Sequence, residues 1–342
     1  MATAKKRATI KDVAAQAGVS YQTVSRVINN KPDVTDETRQ RVKEAINDLN
    51  FRPNLAARSL SGRRSFVIGL IIPYEADYLF RDPHLLAIIS GIDAEANARD
   101  YNVLLSTAGA SKSGIEAYQR FVRNRVADGA LVVETAGSET GHSLLVSEGY
   151  PYVSLGYDVT GSQICCVHSD DRNGGKIATR HLLDQGHRRI GVINGPPVGA
   201  VSSTQERLSG HQEALAEAGL SFDPNLIVYG DYTRPSGQQA TEALLALSDS
   251  PTAIFALNDR MAMGAIRAIH AAGLRVPEDV AVMGYDDIPT AADFSPALTT
   301  VRQPSNKIGQ IAAQLLFNLI DKKTIDQKEI ILPTELVVRQ SS

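Results

Sequence analysis

Thr9-Ile10-Lys11-Asp12-Val13-Ala14-Ala15-Gln16-Ala17-Gly18-Val19-Ser20-Tyr21-Gln22-Thr23-Val24-Ser25-Arg26 reads as two short helices joined by a tight turn. Thr9 can cap the first helix, and Asp12, three residues on, completes a capping box. Ile10, Val13, Ala14 and Ala17 fall at helical spacing on one face. Gly18 ends that helix, because a left-handed C′ position suits a residue without Cβ. Ser20 caps the second helix, whose Val24, Val27 and Ile28 point inward. Tyr21, Gln22, Ser25 and Arg26 are left on the outside, the polar face that a helix needs to enter a major groove.

Charge supports a polyanion partner for this end of the chain. The net charge of −3 over 342 residues is uninformative until it is divided. Residues 1–64 hold thirteen Lys/Arg and six Asp/Glu, a net +7; the remainder holds twenty-two and thirty-two, a net −10. A basic head on an acidic body directs nucleic acid to the head alone. No apolar segment follows Lys5-Lys6-Arg7, so no signal peptide is expected. No apolar run reaches the ~18 residues of a membrane span. The only cysteines, Cys165 and Cys166, are adjacent within an apolar run. Neighbours in sequence cannot staple a fold, so both are expected as core thiols in a reducing, cytoplasmic setting.

Working outward, Thr35 opens a third helix whose Val42, Ala45, Ile46 and Leu49 form one stripe that can close a three-helix core. Phe51-Arg52-Pro53 interrupts it, which bounds a headpiece over 1–52. Residues 53–64 contain two potential helical turns, Asn54 to Ser61, too short to be stable alone. They are expected either as a plain linker or as a hinge helix that folds only on DNA, in which Leu60 is a candidate minor-groove wedge. From Phe66 the pattern alternates strand and helix to Met283, with buried-strand runs at Phe66–Ile72, Gly129–Val133, Ile190–Ile193 and Ala253–Leu257. Asp82-Pro83 is a cap and first turn. The expected body is doubly wound α/β, long enough for two lobes.

With these residues in place, the chain resembles the lactose-repressor (LacI/GalR) family of transcription regulators over essentially its whole length. The resemblance is carried by Thr9-Ile10-Lys11-Asp12-Val13-Ala14, Gly18-Val19-Ser20 and Thr23-Val24-Ser25-Arg26. Arg52-Pro53-Asn54, Ala57-Arg58-Ser59-Leu60, Asn258-Asp259 and Gly284-Tyr285-Asp286-Asp287 add to it. It implies an all-α helix-turn-helix domain with a hinge helix, then a two-lobed body like a periplasmic sugar-binding protein. Effector binding and dimerisation belong to 65–342, with lobe 1 over about 65–162 and 303–325, and lobe 2 over about 163–298 and 326–342. It further implies a homodimer, an operator with two-fold pseudo-symmetry, three strand crossings between the lobes and a small sugar-like effector between them. The chain ends at Ser342 without a heptad tail, so a dimer rather than a coiled-coil tetramer is expected.

On this footing Tyr21, Gln22 and Arg26 are the expected base readers; a guanidinium forked onto guanine N7 and O6 is worth ~1–3 kcal/mol of discrimination. The competing role for Arg26 is a helix-surface salt bridge. Thr9, Ser20, Ser25 and Asn29 are expected on the DNA backbone, and Asn54, Ala57 and Leu60 in the minor groove. Ligands of open α/β lobes bind at the carboxyl ends of strands. Asn258 and Asp286 follow strands there, and both match family positions that contact sugar hydroxyls. Arg207 matches a family arginine that clamps effector oxygens; the alternative is an Arg–Asp structural bridge. The chain has no Trp, so any stacking on a sugar falls to Tyr or Phe. Tyr232 stands where the family's namesake carries an aromatic. Tyr74 and Asp82 are candidates for the rim of lobe 1, Gln303 for a crossover strand, and either Tyr157 or Asp158 for a further pocket position. Asp259 is expected as a helix cap. No cofactor or metal is expected.

Two other classes compete. A regulator governed by a protein co-repressor would need no such pocket. An α/β enzyme would need a nucleotide loop, a nucleophile elbow or metal-ligand spacing, and the sequence contains none of the corresponding motifs. His168, His187 and His211 are scattered and read as ordinary residues.

Overall fold

The computed structural model describes residues 8–28, 31–51, 64–109, 114–134, 139–157, 164–196 and 202–342. They fall into two compact units, 1–65 and 66–342.

The first unit contains α1 (Ile10–Ala17), α2 (Tyr21–Ile28) and α3 (Asp36–Asp48). Both arms of the capping box form: Thr9 N–H donates to Asp12 Oδ2 at 2.7 Å and Asp12 N–H to Thr9 Oγ1 at 3.4 Å. Gly18 adopts φ 63°, the left-handed turn that lets Val19 N–H reach back to Ala14 O at 3.0 Å. Ser20 Oγ accepts from Thr23 N–H at 3.1 Å, which starts α2, and Thr35 caps α3. The helices close on Val13, Ala14, Ala17, Val24, Val27, Val42 and Ala45. Val24 is fully buried, and that burial alone stabilises the unit by about 1.5–3 kcal/mol.

The second unit is two α/β lobes. The first sheet contains β1 (Val67–Glu75), β2 (Asn102–Ala108), β3 (Gly129–Val133), β4 (Tyr152–Leu155), β5 (Cys165–Ser169) and β11 (Glu329–Leu332). The second contains β6 (Ile190–Asn194), β7 (Ile227–Tyr229), β8 (Ala253–Ala256), β9 (Ala281–Asp286), β10 (Thr299–Arg302) and β12 (Glu335–Val337). The orders are β11-β5-β4-β3-β1-β2 and β12-β10-β9-β8-β6-β7. Among the described residues every pairing is parallel except β10 with β12.

Helices cover both faces: α4 (Ala76–Phe80), α5 (Pro83–Asn97), α6 (Ile115–Asn124), α7 (Glu139–Ser147) and α13 (Ser305–Ile320) in lobe 1, and α8 (Asp171–Asp184), α9 (Ser202–Glu217), α10 (Arg234–Leu245), α11 (Asp259–Ala271) and α12 (Thr290–Asp293) in lobe 2. Each sheet therefore carries an apolar core on each face. Strand order reverses between β1 and β3 and again between β6 and β8. In such sheets the crevice at the carboxyl ends of the switch strands is the ligand position.

The chain crosses between lobes after β5, after β10 and between β11 and β12. The lobe boundaries expected from sequence are thereby corrected. Cys165–Ser169 and Glu329–Leu332, placed in lobe 2 by the 162/163 and 325/326 divisions, pair in the first sheet. The divisions fall instead near Ser169/Asp170 and Leu332/Pro333. The physical reason is that lobe membership is set by a strand's hydrogen-bond partners, whereas its apolar pattern suits either sheet. Asp259 is likewise not a helix cap. Asn258 caps α11, accepting from Met261 N–H at 2.9 Å. The Asp259 carboxylate is buried and accepts from Thr300 Oγ1 at 2.5 Å and Ile288 N–H at 2.8 Å, tying α11 to β10 and to the loop after β9.

Candidate functional site

In the first unit, the polar face of α2 is built by its own apolar face: burying Val24 and Val27 forces Tyr21, Gln22 and Arg26 outward. Tyr21 is 55% exposed despite its aromatic ring. Arg26 Nη1 lies 3.2 Å from Asp33 Oδ2, so the surface salt bridge weighed from sequence is present. The Thr9 and Ser20 hydroxyls are engaged in caps. What these residues present to a phosphate is therefore the helix N-termini they organise. Ser25 is half-buried. Asn29, Asn54, Ala57 and Leu60 lie outside the described residues.

The second unit has a cleft between its lobes, about 850 Å³ of empty space with its mouth included. The structure brings all seven residues singled out for an effector to this one cleft: Tyr74, Asp82, Arg207, Tyr232, Asn258, Asp286 and Gln303. Tyr74 is the penultimate residue of β1 and Asn258 follows β8, both at switch strands. Asp286 ends β9, with φ 115°. A non-glycine residue there carries strain of order 1–3 kcal/mol. Its neighbour Asp287 anchors the bend, accepting from Arg302 Nε at 2.7 Å and Arg339 Nη2 at 2.6 Å.

Arg207 shows how the floor is assembled. Its Nε donates to Asp171 Oδ1 at 2.8 Å and its Nη1 to Leu257 O at 2.7 Å. The guanidinium lies 3.8 Å over the Tyr285 ring, and Tyr285 hydroxyl donates to Asp171 Oδ1 at 3.2 Å. Burial would pull the arginine pKa down, but Asp171 outweighs it and holds the guanidinium charged. Gly174 makes this packing possible, since a Cβ there would collide with the Tyr285 hydroxyl. Both readings of Arg207 thus have structural support, because it is paired with Asp171 and still lines the cleft. Asp286 is different. Burial pushes its carboxyl up to about 6, opposed by His84 and Arg207, while Gln303 Nε2 donates to its Oδ1 at 2.6 Å.

Bonds also run across the cleft. Arg260 Nη1 of lobe 2 is 3.5 Å from Asp82 Oδ2 of lobe 1. Ser202 N–H donates to Glu134 Oε1 at 2.9 Å, and Tyr157 hydroxyl to Asp171 Oδ2 at 3.2 Å. Asp82 meanwhile caps α5 through its other oxygen. Of the pair left open in the sequence, Tyr157 lines the cleft and Asp158 lies outside the described residues. Sequence reasoning missed Glu134, Asp171, His84, His168 and Tyr78, which also line it. Glu134 and Asp171 stand one and two residues past β3 and β5, so the strand-end rule contained their signal. His84, His168 and Tyr78 carried none.

Residues 9–54 match the family model described as bacterial regulatory proteins, lacI family, and residues 179–342 match the model of a periplasmic binding protein-like domain. The chain is 38% identical to the HTH-type transcriptional regulator CelR of Thermobifida fusca over 98% of this chain and 99% of that protein. The solved structure of a CelR–cellobiose complex superposes with a TM-score of 0.76 at 36% identity, covering 98% of this chain and 100% of that one. A lac repressor dimer bound to operator and the anti-inducer ONPF gives 0.85 at 30% identity, over 98% and 99%. Similar to such regulators along nearly its whole length, and matched in its head by that family's own model, the chain belongs to the lacI family of bacterial regulatory proteins and is a DNA-binding transcriptional regulator, not an enzyme.

Proposed function

We propose that this regulator is a cytoplasmic repressor, a homodimer on a pseudo-palindromic operator, controlled by a small neutral sugar bound between its lobes. The observation that carries the reading is the cleft in which polar groups from both lobes and a crossover converge. Arg207, Asp286 and Asn258 offer charge-assisted and amide hydrogen bonds to vicinal hydroxyls. Tyr74, Tyr157 and Tyr232 offer ring faces in place of the missing tryptophan. The cellobiose held by the similar CelR makes a glucose disaccharide the first candidate. A protein co-repressor has no use for these buried groups. No helix among the described residues is long and apolar enough to cross a membrane. On DNA, Tyr21, Gln22 and Arg26 read bases, Thr9, Ser20, Ser25 and Asn29 set the register on phosphates, and Asn54, Ala57 and Leu60 act in the minor groove.

A ligand touching both lobes favours the closed arrangement, and operator affinity shifts reciprocally. Fluorescence anisotropy of a labelled operator with and without cellobiose and related sugars tests this. A change in operator affinity at the sugar concentration that also raises the thermal midpoint is expected. Sugars that bind the body yet leave operator affinity unmoved overturn it.

A further inference from the structure

Among the described residues, one cluster has the donor set of a metal site, and one of its members, His168, also lines the cleft. Cys166 and His168 are two residues apart on β5, so their side chains emerge on one face. Glu329 on β11 is the register partner of Cys166 and shares that face. One ligand atom from each of the three lies within 4.8 Å of the others. Cys166 and His168 are buried at 1% and 5% exposure, and Glu329 reaches in from the surface.

The placement of the His168 ring fits a ligand role. Its Nδ1 is 2.9 Å from the Ser169 carbonyl oxygen, which can only accept, so Nδ1 carries the proton. Its Nε2 faces Glu329 Oε1 at 3.2 Å. The separation is close to that between two ligands of a tetrahedral ion with bonds of about 2.0–2.1 Å. An Nδ1–H donated to a backbone carbonyl is also the usual outer support of a metal-bound histidine, fixing tautomer and ring orientation. The ring is held further by stacking on Tyr157, with centroids 3.9 Å apart.

We infer that Cys166, His168 and Glu329 form a binding site for a zinc-like divalent ion on the edge of lobe 1. The sulfur–nitrogen–carboxylate set selects zinc over magnesium or calcium, which prefer oxygen alone. On coordination the Cys166 thiol loses its proton to solvent, its sulfur moves toward the ion, and a water completes four-coordination. Cys166 would then be a ligand rather than only the core thiol expected from sequence.

The test uses reduced full-length protein stripped with a chelator. Titration calorimetry with Zn2+ alone should show one ion per chain. Co2+ should give a sulfur-to-cobalt charge-transfer band that Cys166→Ser abolishes. His168→Gln and Glu329→Gln should each weaken Zn2+ by about tenfold or more, as loss of even an outer-shell partner does. Glu329 is exposed, so Glu329→Gln keeps the fold and remains decisive if the buried variants do not. Absence of Zn2+ binding by the parent chain overturns the inference. So does binding that survives Glu329→Gln and Cys166→Ser unchanged. A His168 imidazolium seen by NMR that excess Zn2+ leaves in place would make the cation a proton and overturn it equally.

Discussion

Single residues here are poised by what they already touch. Arg26 is held by Asp33 at 3.2 Å, both side chains exposed. A base contact must first break that pair, which is worth about 0–1 kcal/mol. Asp33→Asn should therefore tighten operator binding by up to about fivefold, since it also removes a negative charge from a face that meets phosphates. Arg26→Ala should weaken it by about tenfold or more and relax preference at one base pair. Anisotropy titrations over a set of single-base operator variants measure both, and equal losses on every variant would sink the base-reading role. In the cleft, Asp286 titrates near 6 because burial disfavours its charge. The sign follows from that elevation. The folded chain holds this proton more tightly than the unfolded chain, so Asp286 makes stability fall as pH rises from the ordinary carboxylate range to about 6. On the proposed function sugar binding runs the other way, with the ionised carboxylate as the acceptor. Effector affinity should drop as pH falls through about 6, and Asp286→Asn should bind weakly with no such drop. Calorimetric titrations across that range, where an unchanged slope in the variant would remove Asp286 from the contact, decide it.

Elements were legible where their causes are local. The caps Thr9, Ser20, Thr35 and Asp82 hydrogen-bond within three residues, so the sequence alone exposes the helix starts. Thr9→Ala removes the side-chain arm of the capping box, leaving Asp12 N–H without its side-chain acceptor while the backbone arm stays, at a cost of about 1 kcal/mol. Amide exchange across 10–17 should speed several-fold in the full chain, with β1 and β3 exchanging as before; uniform change throughout would mean the cap is not what holds α1. Buried parallel strands were equally legible, as continuous apolar runs. What was hidden is non-local. The partner of β5 could not be read from Cys165–Ser169 itself, nor could the swap of roles by which Asn258 caps α11 while Asp259 ties it to β10. The floor under Arg207 was hidden for the same reason. Tyr285 stands beside Asp286 in sequence, but its ring becomes a platform only because Gly174, on α8, has no Cβ to displace it. The strand-end rule pointed to Asn258 and Asp286, and applied evenly it reaches Glu134 and Asp171 as well.

Across the effector body as a whole, the issue is which contacts hold the two lobes closed. Three of them need no ligand: Arg260 with Asp82, Ser202 N–H with Glu134, and Tyr157 with Asp171. Asp82, Glu134, Tyr157 and Asp171 line the cleft, so a change at any of them acts on the proposed sugar site and on lobe closure together. Arg260 does not line it, yet its guanidinium lies 5.6 Å over the Tyr78 ring and reaches Asp82 from the opposite lobe. It therefore reports on closure alone. The pair is largely buried, and breaking a buried pair from one side leaves an uncompensated charge. Arg260→Met keeps an unbranched apolar side chain but removes the guanidinium, and with it both the Asp82 pair and the cation over Tyr78. A two-state body responds to a ligand in proportion to the ligand's preference for one state, and apparent affinity falls with the population of the competent one. If the closed state loses about 1–2 kcal/mol, the sugar concentration giving half response should rise by about 5–30-fold. Sugar-free Arg260→Met should also show a larger radius of gyration by small-angle scattering, and saturating sugar should restore the parent value. Asp82→Asn combined with Arg260→Met should add little to Arg260→Met in the scattering readout, because the same tie is already broken. A variant with the parent radius and the parent half-response would show that this ion pair does not govern closure, leaving Glu134 and Tyr157 to carry it.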